Sequence, residues 1–169
     1  MPFRRFTAIA ERLGPQDTVS VLNEYFTEMV EIVFAHHGIL DKYIGDAIMA
    51  VFGTPFPGPE DADHAVTTAI RMQDALAALN ARRAPSGRPA FEVRIGVNSG
   101  DVVAGNIGSE RRMDYTVVGD SVNVAARLES ANKLFGTHIL ISESTRLGLR
   151  NEYRLRELDW LRVTGKVAP

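Results

Sequence analysis

Cysteine is absent from this 169-residue chain, which excludes disulfides, thiol nucleophiles and cysteine-ligated metals together. A surplus of basic charge is missing too: 19 Lys and Arg against 21 Asp and Glu leave a net charge of −2. Domains built mainly to hold nucleic acid or an anionic bilayer need excess cations to displace counterions, so neither partner is expected. No apolar run approaches the roughly 20 residues that cross a bilayer. The opening MPFRRFTAIAERLG has two arginines but no apolar block behind them, unlike a secretory leader. Several catalytic signatures are also lacking. H-E-x-x-H and G-x-S-x-G do not occur, and Gly100 and Gly105 have Walker A spacing but lead into Asn106-Ile107, where Lys-Ser/Thr is required. What remains is the expectation of a soluble, cytoplasmic domain whose chemistry rests on carboxylates, amides, hydroxyls, Lys and Arg.

The composition that is present, 45% hydrophobic and 24% charged, suits one globular domain over residues 1–169. Val21, Leu22, Tyr25, Phe26, Met29, Val30 and Val33 recur at three-four spacing and predict a helix from about Asp17 to Phe34, opened by Pro15 and Asp17 and closed at Gly38. His36 and His37 fall in its last turn, where the helix dipole favours them without any metal. Residues 38–53 read as a hairpin around Gly45-Asp46. A proline-rich loop leads to a second helix over about 60–82, with Ala65, Ile70, Met72, Leu76 and Leu79 on one face. Residues 91–108 read as a second hairpin broken at Asn98-Ser99-Gly100. A strand at 114–118, a helix from Ser121, a strand HILIS, a short helix SESTRLGL and exposed strand over 153–162 complete the order. Hairpins with helices on one face predict an α+β sandwich.

Three places can carry chemistry. Asp46, at a tight turn, is held rigidly and part-exposed, which suits a hard cation such as Mg²⁺; a turn also favours Asp with no ligand at all. Asn123 and Arg127, four apart on a helix, leave one face and can hold a sugar and a phosphate, or form a solvated polar stripe. Lys42 on a short apolar strand either lies along an edge or points into a pocket.

The strings EIVFAHHGILDKYIGDAIMAVFG (31–53) and RIGVNSGDVVAGNIGSERRMDYTVVGDSVNVAARLES (94–130) strongly resemble the catalytic domain of class III adenylyl/guanylyl cyclases. The resemblance implies a ferredoxin-like, palm-type α/β sandwich acting as a homodimer, with active sites between two head-to-tail chains. It implies ATP as substrate, 3′,5′-cyclic AMP and pyrophosphate as products, and Mg²⁺ or Mn²⁺ in a two-metal site. Asp46 matches the second metal aspartate, and Lys42 and Thr116 match the base-selecting pair. Guanylyl cyclases resemble Glu and Cys there, so Lys with Thr favours ATP over GTP. Asn123 and Arg127 match the residues that orient the ribose and stabilise charge on the α-phosphate.

Two departures from the family pattern stand out. The family opens with a strand and a D-x-x-G-F-T string; here Phe6 and Thr7 match its close, as substrate-binding residues, but Pro2 stands at the first metal aspartate and Arg5 at the glycine. At the other end Thr164 stands where a triphosphate lysine is expected, with Lys166 as its possible replacement. The resemblance thus implies a cyclase core truncated at both termini, lacking first and last strands, with an upstream sensor or regulatory domain in the full-length protein. Losing one carboxylate removes a ligand and a charge, so cation binding and turnover should weaken. The alternative is a catalytically impaired cyclase-like module that dimerises or senses nucleotide. A di-guanylate cyclase would need a G-G-[DE]-E-F hairpin, but this one reads Ile44-Gly45-Asp46-Ala47-Ile48.

Overall fold

Four apolar side chains at every fourth position, Val21, Tyr25, Met29 and Val33, are buried together in the computed structural model, which describes residues 3–4, 6–88 and 90–159. They lie on helix α1 (Phe6–Ala35), which is interrupted at Gly14 (φ 76°, ψ 168°) just before Pro15. The predicted helix start therefore survives as a break, beyond which helix continues toward Phe6. His36 follows the helix, and its Nδ1 lies 2.8 Å from the Ile32 carbonyl, as the dipole reading expects.

Strands β2 (Ile39–Ile44) and β3 (Ala47–Val51) form the expected antiparallel hairpin. Gly45 takes φ 62° at the first turn position, where two-residue hairpins favour glycine. Helix α2 (Asp61–Arg83) buries Ala69, Met72, Leu76 and Leu79 against α1 and the strands. Ile70, predicted on that face, is exposed instead, because it lies about 100° around the helix from Ala69.

The predicted hairpin over 91–108 does not form. Strand β4 (Glu92–Val93) pairs with a short β1 (Phe3–Arg4), and β5 (Ile95–Val97) pairs in parallel with β8 (Ile139–Ile141). The chain does not reverse at Asn98–Ser99, because these residues are fastened elsewhere. Asn98 Nδ2 donates to the Ser121 carbonyl at 3.0 Å, and Ser99 Oγ donates to Thr145 Oγ1 at 3.1 Å. The hairpin lies one strand later, between β6 (Val103–Ser109) and β7 (Arg112–Val118). Helix α3 (Asp120–Phe135) then supplies the crossover that parallel pairing demands. Helix α4 (Glu143–Gly148) completes the α+β arrangement.

Strand was also predicted over 153–162, but residues 149–159 carry none, and 160–162 lie outside the described residues. This segment is held by side chains instead of a ladder. Asp63, buried near the start of α2, accepts the Arg150 and Asn151 backbone N–H groups at 2.9 and 3.0 Å, and Tyr153 Oη lies 3.1 Å from Thr67 Oγ1. Burial opposes charge on Asp63, but these hydrogen bonds outweigh it and hold the carboxyl below its ordinary value of 3.8. A lowered folded value means the stabilisation is present above the unfolded value and is lost as pH falls through the folded one. Asp63→Asn keeps the shape but leaves one N–H poorly served, so it should cost about 1–3 kcal/mol at neutral pH. Urea melts of both forms from neutral pH to below pH 4 check this: the gap should narrow on acidification, and a constant gap would count against the assignment.

Candidate active site

Lys42 and Thr116 meet at a residue that the sequence reading passed over. Thr116 is buried on β7, and its Oγ1 donates to Asp41 Oδ2 at 2.9 Å across 75 positions of sequence. Lys42 Nζ lies 3.4 Å from the same oxygen, with its side chain 42% exposed while that of Asp41 is 4% exposed. Consecutive strand residues normally point to opposite faces. Here the ladder slips: Leu40 faces Ala50 and Lys42 faces Met49, leaving Asp41 as the extra residue of a β-bulge. Bulges re-aim side chains in this way. The signal was the Asp-Lys dipeptide itself, but no pattern in it foretells a bulge.

Asp46 is half-buried at the β2–β3 turn. Near it, burial first and then the Asp46 carboxyl push the buried Tyr25 hydroxyl well above the ordinary range. Among the described residues no three His, Asp or Glu side chains gather into a cluster that could hold a metal. A single turn carboxylate still fits Mg²⁺ or Mn²⁺ in one way. Such ions take one or two carboxylates from protein and further oxygens from water and substrate phosphates.

Asn123 and Arg127 lie on one face of α3, the first exposed and the second half-buried. Arg127 Nη1 is buried and has no hydrogen-bond partner among the described residues. A buried guanidinium N–H left unbonded is costly, and an anionic oxygen would satisfy it. The helix is positioned by two contacts. Asn132, fully buried, donates from Nδ2 to the Ile95 carbonyl at 3.0 Å, and Gly96 lies against the α3 backbone. Phe6 and Thr7 open α1; Pro2, Arg5, Thr164 and Lys166 lie outside the described residues.

A cavity of about 820 Å³ lies between β3, β5 and α3, with mainly apolar walls including Met49, Val51, Ile95 and Ala125. Lys42, Asp46, Thr116, Asn123 and Arg127 do not line it. Their polar groups lie outside this cavity: Thr116 and Arg127 Nη1 are buried, Asp46 is half-buried, and Lys42 and Asn123 are exposed. Beside it the β6–β7 ribbon carries exposed apolar side chains on both faces, Val103, Ile107 and Val118 on one and Met113 and Tyr115 on the other, next to the exposed Arg112–Asp114 ion pair.

Comparison with known proteins gives a consistent picture. A family model of the adenylate and guanylate cyclase catalytic domain matches residues 3–168. Adenylate cyclase 1 of Rhizobium meliloti is 35% identical over 161 residues, covering 95% of this chain and 24% of that protein. Adenylate cyclase of Anabaena cylindrica is 39% identical over 170 residues, covering 96% and 33%. The chain thus spans about a quarter to a third of the length of these relatives. The crystal structure of the adenylyl cyclase CyaB from P. aeruginosa superposes with a TM-score of 0.90 at 34% identity, covering 99% of this chain and 86% of that one. That of the guanylyl cyclase Cya2 superposes at 0.88 and 36% identity, covering 98% and 83%. Near-equal likeness to an adenylyl and a guanylyl enzyme leaves the choice of base to the residues themselves.

Proposed function

The chain belongs to the adenylate and guanylate cyclase catalytic domain family, and from that premise we propose that it converts ATP to 3′,5′-cyclic AMP and pyrophosphate at a site shared by two copies. The observation that carries the choice of ATP is the convergence of Lys42 and Thr116 on Asp41. It puts an ammonium donor and a hydroxyl side by side, as reading one edge of a purine requires. In this mechanism the ribose 3′-oxygen attacks the α-phosphorus, the bond to pyrophosphate breaks, and the hydroxyl proton is released. Lys42 and Thr116 hold the base, while Asn123 orients the ribose. Arg127 supplies N–H groups to the α-phosphate oxygens as negative charge builds there. Asp46 would hold Mg²⁺ or Mn²⁺, which when bound would neutralise phosphate charge and polarise the attacking oxygen. Lys166 is proposed to reach the triphosphate, and Phe6 and Thr7 to line its approach.

A homodimer is supported by the β6–β7 ribbon, where Val103 is 72% and Met113 60% exposed. A two-stranded ribbon with apolar side chains on both faces is marginal in water unless something covers it. A second copy would cover it.

Two measurements test these readings. Cyclic AMP should form in Mn²⁺ or Mg²⁺, stop with chelator, and exceed cyclic GMP formed from GTP. ATP binding without any cyclic AMP would favour the impaired nucleotide-sensing module, the alternative that Pro2 at the first metal-aspartate position raises. Second, because Asp46 supplies one carboxylate, Mn²⁺ should bind only together with nucleotide. With ATP held constant, electron paramagnetic resonance titration should show Mn²⁺ captured on adding the chain beyond what ATP alone binds, and not on adding the Asp46→Ala chain. Tight Mn²⁺ capture without nucleotide would overturn this reading of Asp46.

A further inference from the structure

We propose that Asp41 sets which purine the site accepts, by fixing the direction of the Thr116 hydroxyl; the inference rests on the ATP reading given above. A threonine hydroxyl can donate or accept, so on its own it fits the 6-amino group of adenine and the 6-oxo group of guanine alike. Asp41 removes that freedom. A carboxylate only accepts, so in the 2.9 Å contact the hydrogen of Thr116 must point at Asp41. Thr116 Oγ1 then turns only lone pairs toward a base. Lys42, beside it, offers only N–H.

The resulting acceptor-donor pair has a definite polarity. Adenine presents an amino donor beside an unprotonated ring nitrogen, so both contacts match. Guanine presents a carbonyl oxygen beside a ring N–H, so lone pair meets lone pair and N–H meets N–H. Discrimination of this kind exceeds what size or shape gives, because buried polar groups are left unpaired by the wrong partner. The bulge makes the arrangement possible. Without the slip between Leu40 and Lys42, Asp41 and Lys42 would point to opposite faces of β2. Asp41 is a positioning residue: it sets the preference through Thr116 and touches no base itself.

The test compares ATP and GTP affinities by displacement of a fluorescent ATP analogue in Mn²⁺, with the unsubstituted chain and Asp41→Asn. Asparagine can donate to Thr116 from its amide and free the hydroxyl hydrogen to point outward. The ATP-to-GTP preference should fall about tenfold or more. A structural defect would weaken both nucleotides alike and leave the ratio in place, so an unchanged ratio overturns the role of Asp41. Thr116→Val provides a second arm: it should lower ATP affinity, and adding Asp41→Asn to it should move the ratio no further. A third arm needs no substitution. Purine riboside triphosphate, which lacks the 6-amino group, should bind the unsubstituted chain about tenfold more weakly than ATP; equal binding would overturn the acceptor polarity. An unsubstituted chain that shows no preference for ATP would instead overturn the ATP reading itself.

Discussion

Arg127→Ala is expected to lower turnover by about 10²–10³ while leaving ATP affinity within about threefold. The split follows from where the charge is. In the bound substrate the α-phosphate already carries its negative charge among other contacts, whereas the extra charge on its oxygens develops only on the way to product. A group that meets that extra charge raises kcat with little effect on binding. Arg127 Nη1 is buried without a partner among the described residues, so the protein bears the cost of an unmet donor before substrate arrives. Its helix carries Asn123 four residues earlier on the same face. Single-turnover kinetics beside equilibrium ATP binding separate the two quantities, and near-normal turnover would remove Arg127 from this role. The shared-site proposal adds a sharper form. Mixing inactive Arg127→Ala and Asp46→Ala chains should restore roughly a quarter of the sites, the share that random pairing in a two-fold dimer leaves intact. No recovery on mixing would place both residues in a site built from one chain.

Gly96→Ala is expected to cost about 3 kcal/mol, or about 10 °C in Tm, and to lower turnover by at least about tenfold. Gly96 lies on β5 where α3 crosses it. An added Cβ would stand 2.2 Å from the Ala125 carbonyl oxygen and 2.4 Å from the Glu129 nitrogen. Both are helix backbone, so no side chain can swing aside and α3 itself must shift. Ala125 and Glu129 flank Arg127 in sequence, which couples the packing fault to the site. Phosphoryl chemistry depends on placement at the ångström level, so catalysis should suffer along with stability. The ATP-to-GTP preference should stay as it was, because Asp41, Lys42 and Thr116 lie on β2 and β7. Calorimetry with the affinity ratio checks both halves; a Tm within about 2 °C of the parent would show that α3 accommodates the methyl group.

Much of the molecule was legible in linear order. The α1 core stripe, the β2–β3 hairpin with its Gly45-Asp46 turn, and the Asn123–Arg127 pair depend on spacings of two to four residues, which sequence displays directly. Other features failed for an identifiable reason. The Asn98–Gly100 stretch carries turn residues, yet the Asn98 and Ser99 side chains are bound by Ser121, Thr145 and Ser144, residues that arrive from more than twenty positions away. The segment from Tyr153 read as strand, but the chain leading into it is fastened by side chains of α2 instead: Asp63 accepts the Arg150 and Asn151 N–H groups, and Thr67 meets the Tyr153 hydroxyl.

The absence of cysteine, the near balance of charge and the two long motif strings are properties of composition and order, and from them alone follow the family and the residue types available to its chemistry. Which of those residues meet is another matter. Asp41, Lys42 and Thr116 converge only because β2 slips by one residue and β7 lies beside it, and the α3 backbone comes as close to β5 as it does only because residue 96 is glycine. Short-range periodicity sets local elements, whereas a bulge register and a strand-to-helix approach are settled by packing against partners distant in sequence. The meeting of Asp41, Lys42 and Thr116, on which the proposed choice of purine rests, is therefore decided by tertiary structure.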